Sequence, residues 1–212
     1  MSRPKVKICG VRTPEEAELA VALGADFLGL NFHPPSPRCL APAAARRVAD
    51  AVRGRATLVG VFVHQDAAEI AAVDAAVGLD LIQLHGEHDA GVERRFAGRA
   101  IRVVRVDGAP EADAVAGAAD LWGFLFDTRH PSLWGGTGEG WDSGAVGRLA
   151  LDRPCFIAGG LGPDNVRAAV DAARPWGIDA CSGVEASPGR KDPDRLRRFF
   201  EEIDHGTSAR AS

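Results

Sequence analysis

The sequence predicts a single (β/α)8 TIM barrel of eight parallel strands, and three observations carry that prediction. Short β-branched or apolar runs alternate with Ala-rich helical stretches to the end of the chain, and there are eight such runs. Dividing 212 residues among eight units leaves about 26 each, the length a strand and its crossover helix require. Nothing remains for a second domain. The doubly wound open sheet is the alternative. It usually has about five or six strands, and its dinucleotide-binding form opens with G-x-G-x-x-G after the first strand, which this chain lacks.

The elements follow in order. The first run, 6–9, leads to Thr13-Pro14-Glu15-Glu16, an N-cap with proline at the first helical position. The second, 27–32, passes through the proline-stiffened Pro34-Pro35-Ser36-Pro37-Arg38 to a helix start at Ala41-Pro42. Runs 57–63, 79–84 and 100–106 continue the alternation, and 121–127 precedes a long loop. The seventh, 155–158, is followed by a helix start at Gly162-Pro163-Asp164, and the eighth is 178–182. Residues 1–205 are thus expected to form the barrel and 206–212 a disordered tail.

Composition excludes several function classes. Lys and Arg total 25 against 29 Asp and Glu, a formal charge of −4, so nucleic acid is not the expected partner. The longest apolar runs are about six residues, and no cationic-apolar signal opens the chain, so no membrane association and a cytoplasmic location are expected. Cys9, Cys39, Cys155 and Cys181 form no C-x-x-C pair or metal-ligand spacing, and His85 and His88 have no third ligand nearby. No metal is expected.

In such barrels chemistry sits at the carboxyl ends of the strands. Gly159-Gly160 after the seventh strand and Ser182-Gly183 after the eighth let backbone N–H groups approach an anion, a phosphate cradle, although turns use glycine for other reasons. Gly136 and Gly138, in Gly136-Thr137-Gly138, could fold over the same group or simply be a flexible loop. Asp127 leaves the apolar sixth strand at the mouth, where desolvation would suit its carboxyl to give a proton, although a lone aspartate there is more often an N-cap or a loop salt bridge. Cys9 closes the first strand on the face of Lys5 and Lys7, although a free cysteine is more often packing. A cysteine and an aspartate from these strands would face each other and could take a proton from carbon and deliver one to oxygen. Arg38 could bind a carboxylate bidentately, and His85 could orient substrate, against surface and structural readings of each. Lys5, Lys7 and Lys191 are the only lysines, so Schiff-base aldol chemistry lacks its nucleophile. Lys7 should point into the barrel and find a carboxylate, with Asp179 the first candidate.

Several strings stand out in order: Lys7-Ile8-Cys9-Gly10, Ser36-Pro37-Arg38, Val59-Gly60-Val61-Phe62, Gln83-Leu84-His85-Gly86, Gly135-Gly136-Thr137-Gly138, Ala158-Gly159-Gly160-Leu161 and Ser182-Gly183-Val184-Glu185 with Pro188-Gly189-Arg190-Lys191-Asp192. Together they resemble the phosphoribosylanthranilate isomerase family of tryptophan biosynthesis. The resemblance implies a cofactor-free Amadori rearrangement of a phosphosugar substrate, with Cys9 as general base, Asp127 as general acid, Arg38 at the anthranilate end and the glycine loops around the phosphate. A homodimer is left open. Arg12 stands where a small or apolar residue often follows the Cys-Gly turn, and as a cation it would lower the Cys9 pKa. Rival phosphosugar barrels differ in residue type: the histidine-pathway isomerase resembles a double half-barrel with aspartate at the Cys9 position, indole-glycerol-phosphate synthase relies on strand-end lysines, and the ribulose-phosphate epimerases bind metal through histidines. A reading from another class, a catalytically dead phosphate-binding module, predicts binding without turnover.

Overall fold

A computed structural model describes residues 3–86, 88, 90–106, 115–128 and 152–208. Eight parallel strands close into a barrel in chain order: β1 (Lys5–Cys9), β2 (Phe27–Asn31), β3 (Thr57–Val63), β4 (Leu81–His85), β5 (Ala100–Val106), β6 (Gly123–Thr128), β7 (Cys155–Ala158) and β8 (Gly177–Ala180). All eight expected strands are present. Most boundaries agree to within a residue; β4 and β6 begin two residues later than expected and β8 ends two residues earlier, and for β4 and β8 the physical reason is visible. β4 starts at Leu81 because the Leu79 amide is taken by the Asp74 carboxylate at 3.2 Å, which holds it in the preceding turn. β8 stops at Ala180 because Cys181 leaves extended geometry, with ψ at −86°, and Ser182–Val184 wind into a 3-10 turn.

The helices are α1 (Pro14–Ala22), α2 (Pro42–Val52), α3 (Ala67–Val77), α4 (Ala90–Arg95), α5 (Val166–Ala173) and α6 (Pro193–Ser208). Thr13 caps α1 as expected, its hydroxyl accepting from the Glu16 amide at 3.2 Å. The start expected at 162–164 moves to Val166. Asn165 instead accepts from the Gly162 amide at 2.8 Å and donates to the Gly160 carbonyl at 3.1 Å, so its side chain staples the turn before the helix. After β8 a short hairpin forms from β9 (Glu185–Ser187) and β10 (Arg190–Lys191). α6 extends through Ser208, so helix covers 206–208, and 209–212 lie outside the described residues. Among the described residues no helix is long and apolar enough to cross a membrane.

Period-2 alternation sorts the strand side chains between two layers. Outward residues such as Ile8, Leu28, Phe62, Phe124 and Ile178 pack under the helices, while Phe27, Val59, Leu81, Ile101, Leu125 and Phe156 fill the barrel from within. Each buried side chain of this size contributes roughly 1.5–3 kcal/mol. Trp122 and Trp176 close the lower end, both edge-on to Phe27 at 5.9 Å. The lower half of the interior is therefore apolar. One step up, four inward positions turn polar, Lys7 on β1, Gln83 on β4, Asp127 on β6 and Asp179 on β8, and that change of chemistry marks the site.

Candidate active site

A cavity of about 270 Å³ opens at the carboxyl ends of the strands. Of the predicted residues, Cys9, Arg38, His85, Asp127, Gly159, Gly160 and Ser182 line it, joined by Asn31, Gln83, Asp179 and Cys181. Counting round the closed barrel, β1 and β6 are separated by β7 and β8, so Cys9 and Asp127 approach from nearly opposite walls. Gly183 does not line the cavity. It packs instead on the Leu161 carbonyl, where any side chain would collide, so its glycine serves a close backbone crossing. Gly136 and Gly138, with Arg129, His130 and Trp134 of the same loop, lie outside the described residues.

At the base of the cavity Lys7 meets Asp179 at 3.0 Å, the partner the sequence points to. Both side chains are buried. Burial opposes the ammonium charge, but the Asp179 carboxylate outweighs it and holds the Lys7 pKa above its ordinary value. One layer higher lies the Cys9 sulfur. A side chain on Gly29 of β2 would come within 2.8 Å of that sulfur and 3.2 Å of the Lys7 ammonium, so both pack against one bare patch of backbone. The Cys9 pKa is lowered to about 7: the Cys181 thiol acts as hydrogen-bonding neighbour, burial pushes the other way, and the Lys7 charge adds to the lowering. Cys181 responds in the opposite sense, its pKa raised by the same partnership and by burial.

Arg38 is held by Glu185, whose two oxygens accept from Nε at 2.8 Å and Nη2 at 2.6 Å. That fork takes one edge of the guanidinium and leaves the Nη1–Nη2 edge for another planar anion. Glu185 also accepts from the buried Lys191 ammonium at 3.1 Å, which donates to the Cys181 carbonyl at 3.0 Å. Burial would raise the Glu185 pKa, but Arg38 and Lys191 bring it below the ordinary carboxylate value. Arg12, expected to act on Cys9, instead reaches the Gly189 carbonyl at 3.4 Å, and the cation set against the sulfur is Lys7.

His85 ends β4 with its ring Nε2 at 2.6 Å from the Gln83 side-chain nitrogen. Burial, with the nearby Lys7 and Arg105 charges, lowers its pKa to about 4, so the ring is neutral at physiological pH. With the Gln83 amide donating, the ring nitrogen accepts and its proton sits on Nδ1. The Gln83 side-chain oxygen is buried without a hydrogen-bond partner among the described residues. His88 turns to the His85 carbonyl at 3.0 Å, and no group of three metal-ligating side chains occurs among the described residues.

Gly159 and Gly160 have φ of +117° and +62°, left-handed conformations that favour glycine, and the Thr128 carbonyl crosses close to Gly159. Asn165 fixes this turn from behind. Sequence reasoning missed Asn165, Gln83 and Cys181. For Cys181 a signal existed: two residues beyond Asp179, it continues the inward alternation just past the end of β8.

The profile of the N-(5'-phosphoribosyl)anthranilate (PRA) isomerase family matches residues 6–202. An N-(5'-phosphoribosyl)anthranilate isomerase of Acidithiobacillus ferrooxidans is 40% identical over 204 residues, covering 96% of this chain and 98% of that one. Monomers generated from the dimeric phosphoribosylanthranilate isomerase of Thermotoga maritima superpose with a TM-score of 0.82 at 33% identity, covering 95% of this chain and 99% of that one. A phosphoribosylanthranilate isomerase in complex with reduced 1-(o-carboxyphenylamino)-1-deoxyribulose 5-phosphate superposes with a TM-score of 0.82 at 34% identity, covering the same shares.

Proposed function

The chain belongs to the N-(5'-phosphoribosyl)anthranilate isomerase family, and on that premise we propose how its own residues perform the isomerisation. The reaction is the Amadori rearrangement of N-(5'-phosphoribosyl)anthranilate to 1-(2-carboxyphenylamino)-1-deoxyribulose 5-phosphate in tryptophan biosynthesis. Asp127 gives its proton to the furanose ring oxygen. The C1′–O bond breaks with its electron pair going to that oxygen, and the anilino nitrogen lone pair forms the C1′=N bond of a Schiff base. C2′ is now acidic. Cys9, as thiolate, takes the C2′ proton, the electrons left behind form the C1′=C2′ bond, and the C1′=N π pair returns to the anilino nitrogen, giving an enolamine. Loss of the hydroxyl proton and protonation at C1′ then give the aminoketone.

The observation that carries this reading is the placement of Cys9 and Asp127 on nearly opposite walls of one cavity. An acid for the ring oxygen and a base for C2′ must reach one pentose from two sides. Lys7 supports the thiolate electrostatically, with Asp179 holding that ammonium in place. The free edge of Arg38 takes the anthranilate carboxylate, and the Gly159-Gly160 turn with Ser182 takes the phosphate. The buried Gln83 oxygen, paired with nothing among the described residues, is set to accept from a sugar hydroxyl. Neutral His85 orients substrate.

The working unit in this reading is a single barrel domain, its last helix running through Ser208, acting in the cytoplasm. A homodimer is supported by the dimeric Thermotoga maritima relative, and light scattering on the purified chain tests it. The activity itself is tested by following the loss of substrate fluorescence with purified protein. Turnover by the native chain is expected, and binding without turnover would overturn the reading.

A further inference from the structure

Building on the base role given to Cys9, we infer that Cys181 is a positioning residue: its thiol donates to the Cys9 sulfur across the β1–β8 seam and directs the lone pair that takes the substrate proton. Strand register brings the two sulfurs together. β1 and β8 pair Lys5 with Gly177, Val6 with Ile178, Lys7 with Asp179 and Ile8 with Ala180. One step further along both chains stand Cys9 and Cys181. By alternation they share the inward face of the Lys7–Asp179 pair, one layer nearer the mouth, and neighbouring strands lie only about 4.8 Å apart. Both line the cavity. The interior thus stacks an ion pair beneath a thiol pair, in the same two strands.

Two features decide which sulfur holds the proton. Cys9 shares its packing site on Gly29 with the Lys7 ammonium, so negative charge is favoured there. Around Cys181 the nearest cation, Lys191, is already committed to the Cys181 carbonyl and to Glu185, and Arg38 is committed to Glu185. The charged groups acting on the pair are Lys7, Asp179, Lys191 and Arg38, the last two held by Glu185, with Asp127 and neutral His85 across the same cavity, and their arrangement puts the thiolate on Cys9 and the S–H on Cys181. The Lys191 clamp on the Cys181 backbone keeps that S–H in place as the chain leaves β8. The directions in which the two thiols shift, Cys9 down and Cys181 up, agree with this assignment.

The test measures the pH dependence of iodoacetamide labelling at Cys9, resolved by peptide mass spectrometry, beside the acidic limb of kcat/KM. In Cys181→Ala both midpoints should move up together by about one pH unit, a roughly tenfold loss of rate at a given acidic pH, with KM nearly unchanged. Cys181→Val, which keeps volume without a donor, should match it, and Cys181→Ser, which restores a donor, should recover most of the loss. Unmoved labelling in folded Cys181→Ala or Cys181→Val overturns the inference while leaving Cys9 as base. Labelling that moves while kcat/KM does not overturns the base role of Cys9, and the inference with it.

Discussion

The Lys7 ammonium and the Asp179 carboxylate meet at 3.0 Å inside the barrel, Lys7 fully buried and Asp179 nearly so at the floor of the cavity. They link two strands adjacent across the closure of the sheet, and they place a fixed positive charge directly beneath the Cys9 sulfur. Removing one partner leaves the other as an uncompensated buried charge. Asp179→Ala should therefore cost about 3–5 kcal/mol of unfolding free energy in denaturant titration. Lys7→Met with Asp179→Leu should recover much of that stability yet remain impaired in turnover, because the charge supporting the thiolate is gone. Full activity in the double variant would show that the pair serves the fold alone.

Each reacting group can be removed singly. Cys9→Ala and Asp127→Asn should each lower kcat by at least about a hundredfold, the typical effect of losing a general base or acid. Circular dichroism should show folded protein in both. Near-native kcat in either variant removes that residue from its role.

The pH profile follows from the thiol. The base acts only as thiolate, so kcat/KM should rise with pH through about 7 and fall away below it as the sulfur is protonated. His85, lowered to about 4, does not titrate in that range. The acidic limb should therefore stay in place in His85→Asn, and a limb that vanished there would reassign it to the imidazole.

Arg38 and Glu185 act as a unit. Arg38→Met should mainly raise KM by removing the edge offered to the anthranilate carboxylate. Glu185→Gln should raise it less, since the guanidinium remains but loses the bidentate hold at 2.8 and 2.6 Å. Steady-state kinetics separates the two, and unchanged KM in Arg38→Met would make that residue a bystander.

Asn165 offers a probe of the phosphate end. Asn165→Ala removes the hydrogen bonds to Gly160 and Gly162 and should raise KM several-fold with little change in kcat, because the turn is loosened without touching the reacting atoms. A fall in kcat alone, measured in the same assay, would move Asn165 away from substrate binding.

Much of this architecture is legible in the chain because the barrel repeats one local rule. Alternation along 6–9 and 178–182 is enough to turn Lys7 and Asp179 inward, and the ends of the runs 6–9 and 121–127 bring Cys9 and Asp127 to the mouth. The same rule reaches Cys181, yet the sequence shows it only as one of four scattered cysteines, since the pairing of β1 with β8 that sets it beside Cys9 is a property of the closed sheet. The grip of Glu185 on Arg38 spans 147 residues and depends on the hairpin after β8, which no local pattern announces. Gly183 misleads for the opposite reason: a glycine needed where two backbones cross looks the same in sequence as one needed by an anion.

The central claim is that one pentose lies between the Cys9 sulfur and the Asp127 carboxyl. A crystal structure of the native chain with reduced 1-(o-carboxyphenylamino)-1-deoxyribulose 5-phosphate tests it most directly. The sulfur should lie within about 3.5 Å of the carbon corresponding to C2′, with the carboxyl on the other side of the sugar at the oxygen released from the ring. A ligand seated in the same cavity with either group turned away from those atoms would contradict the account.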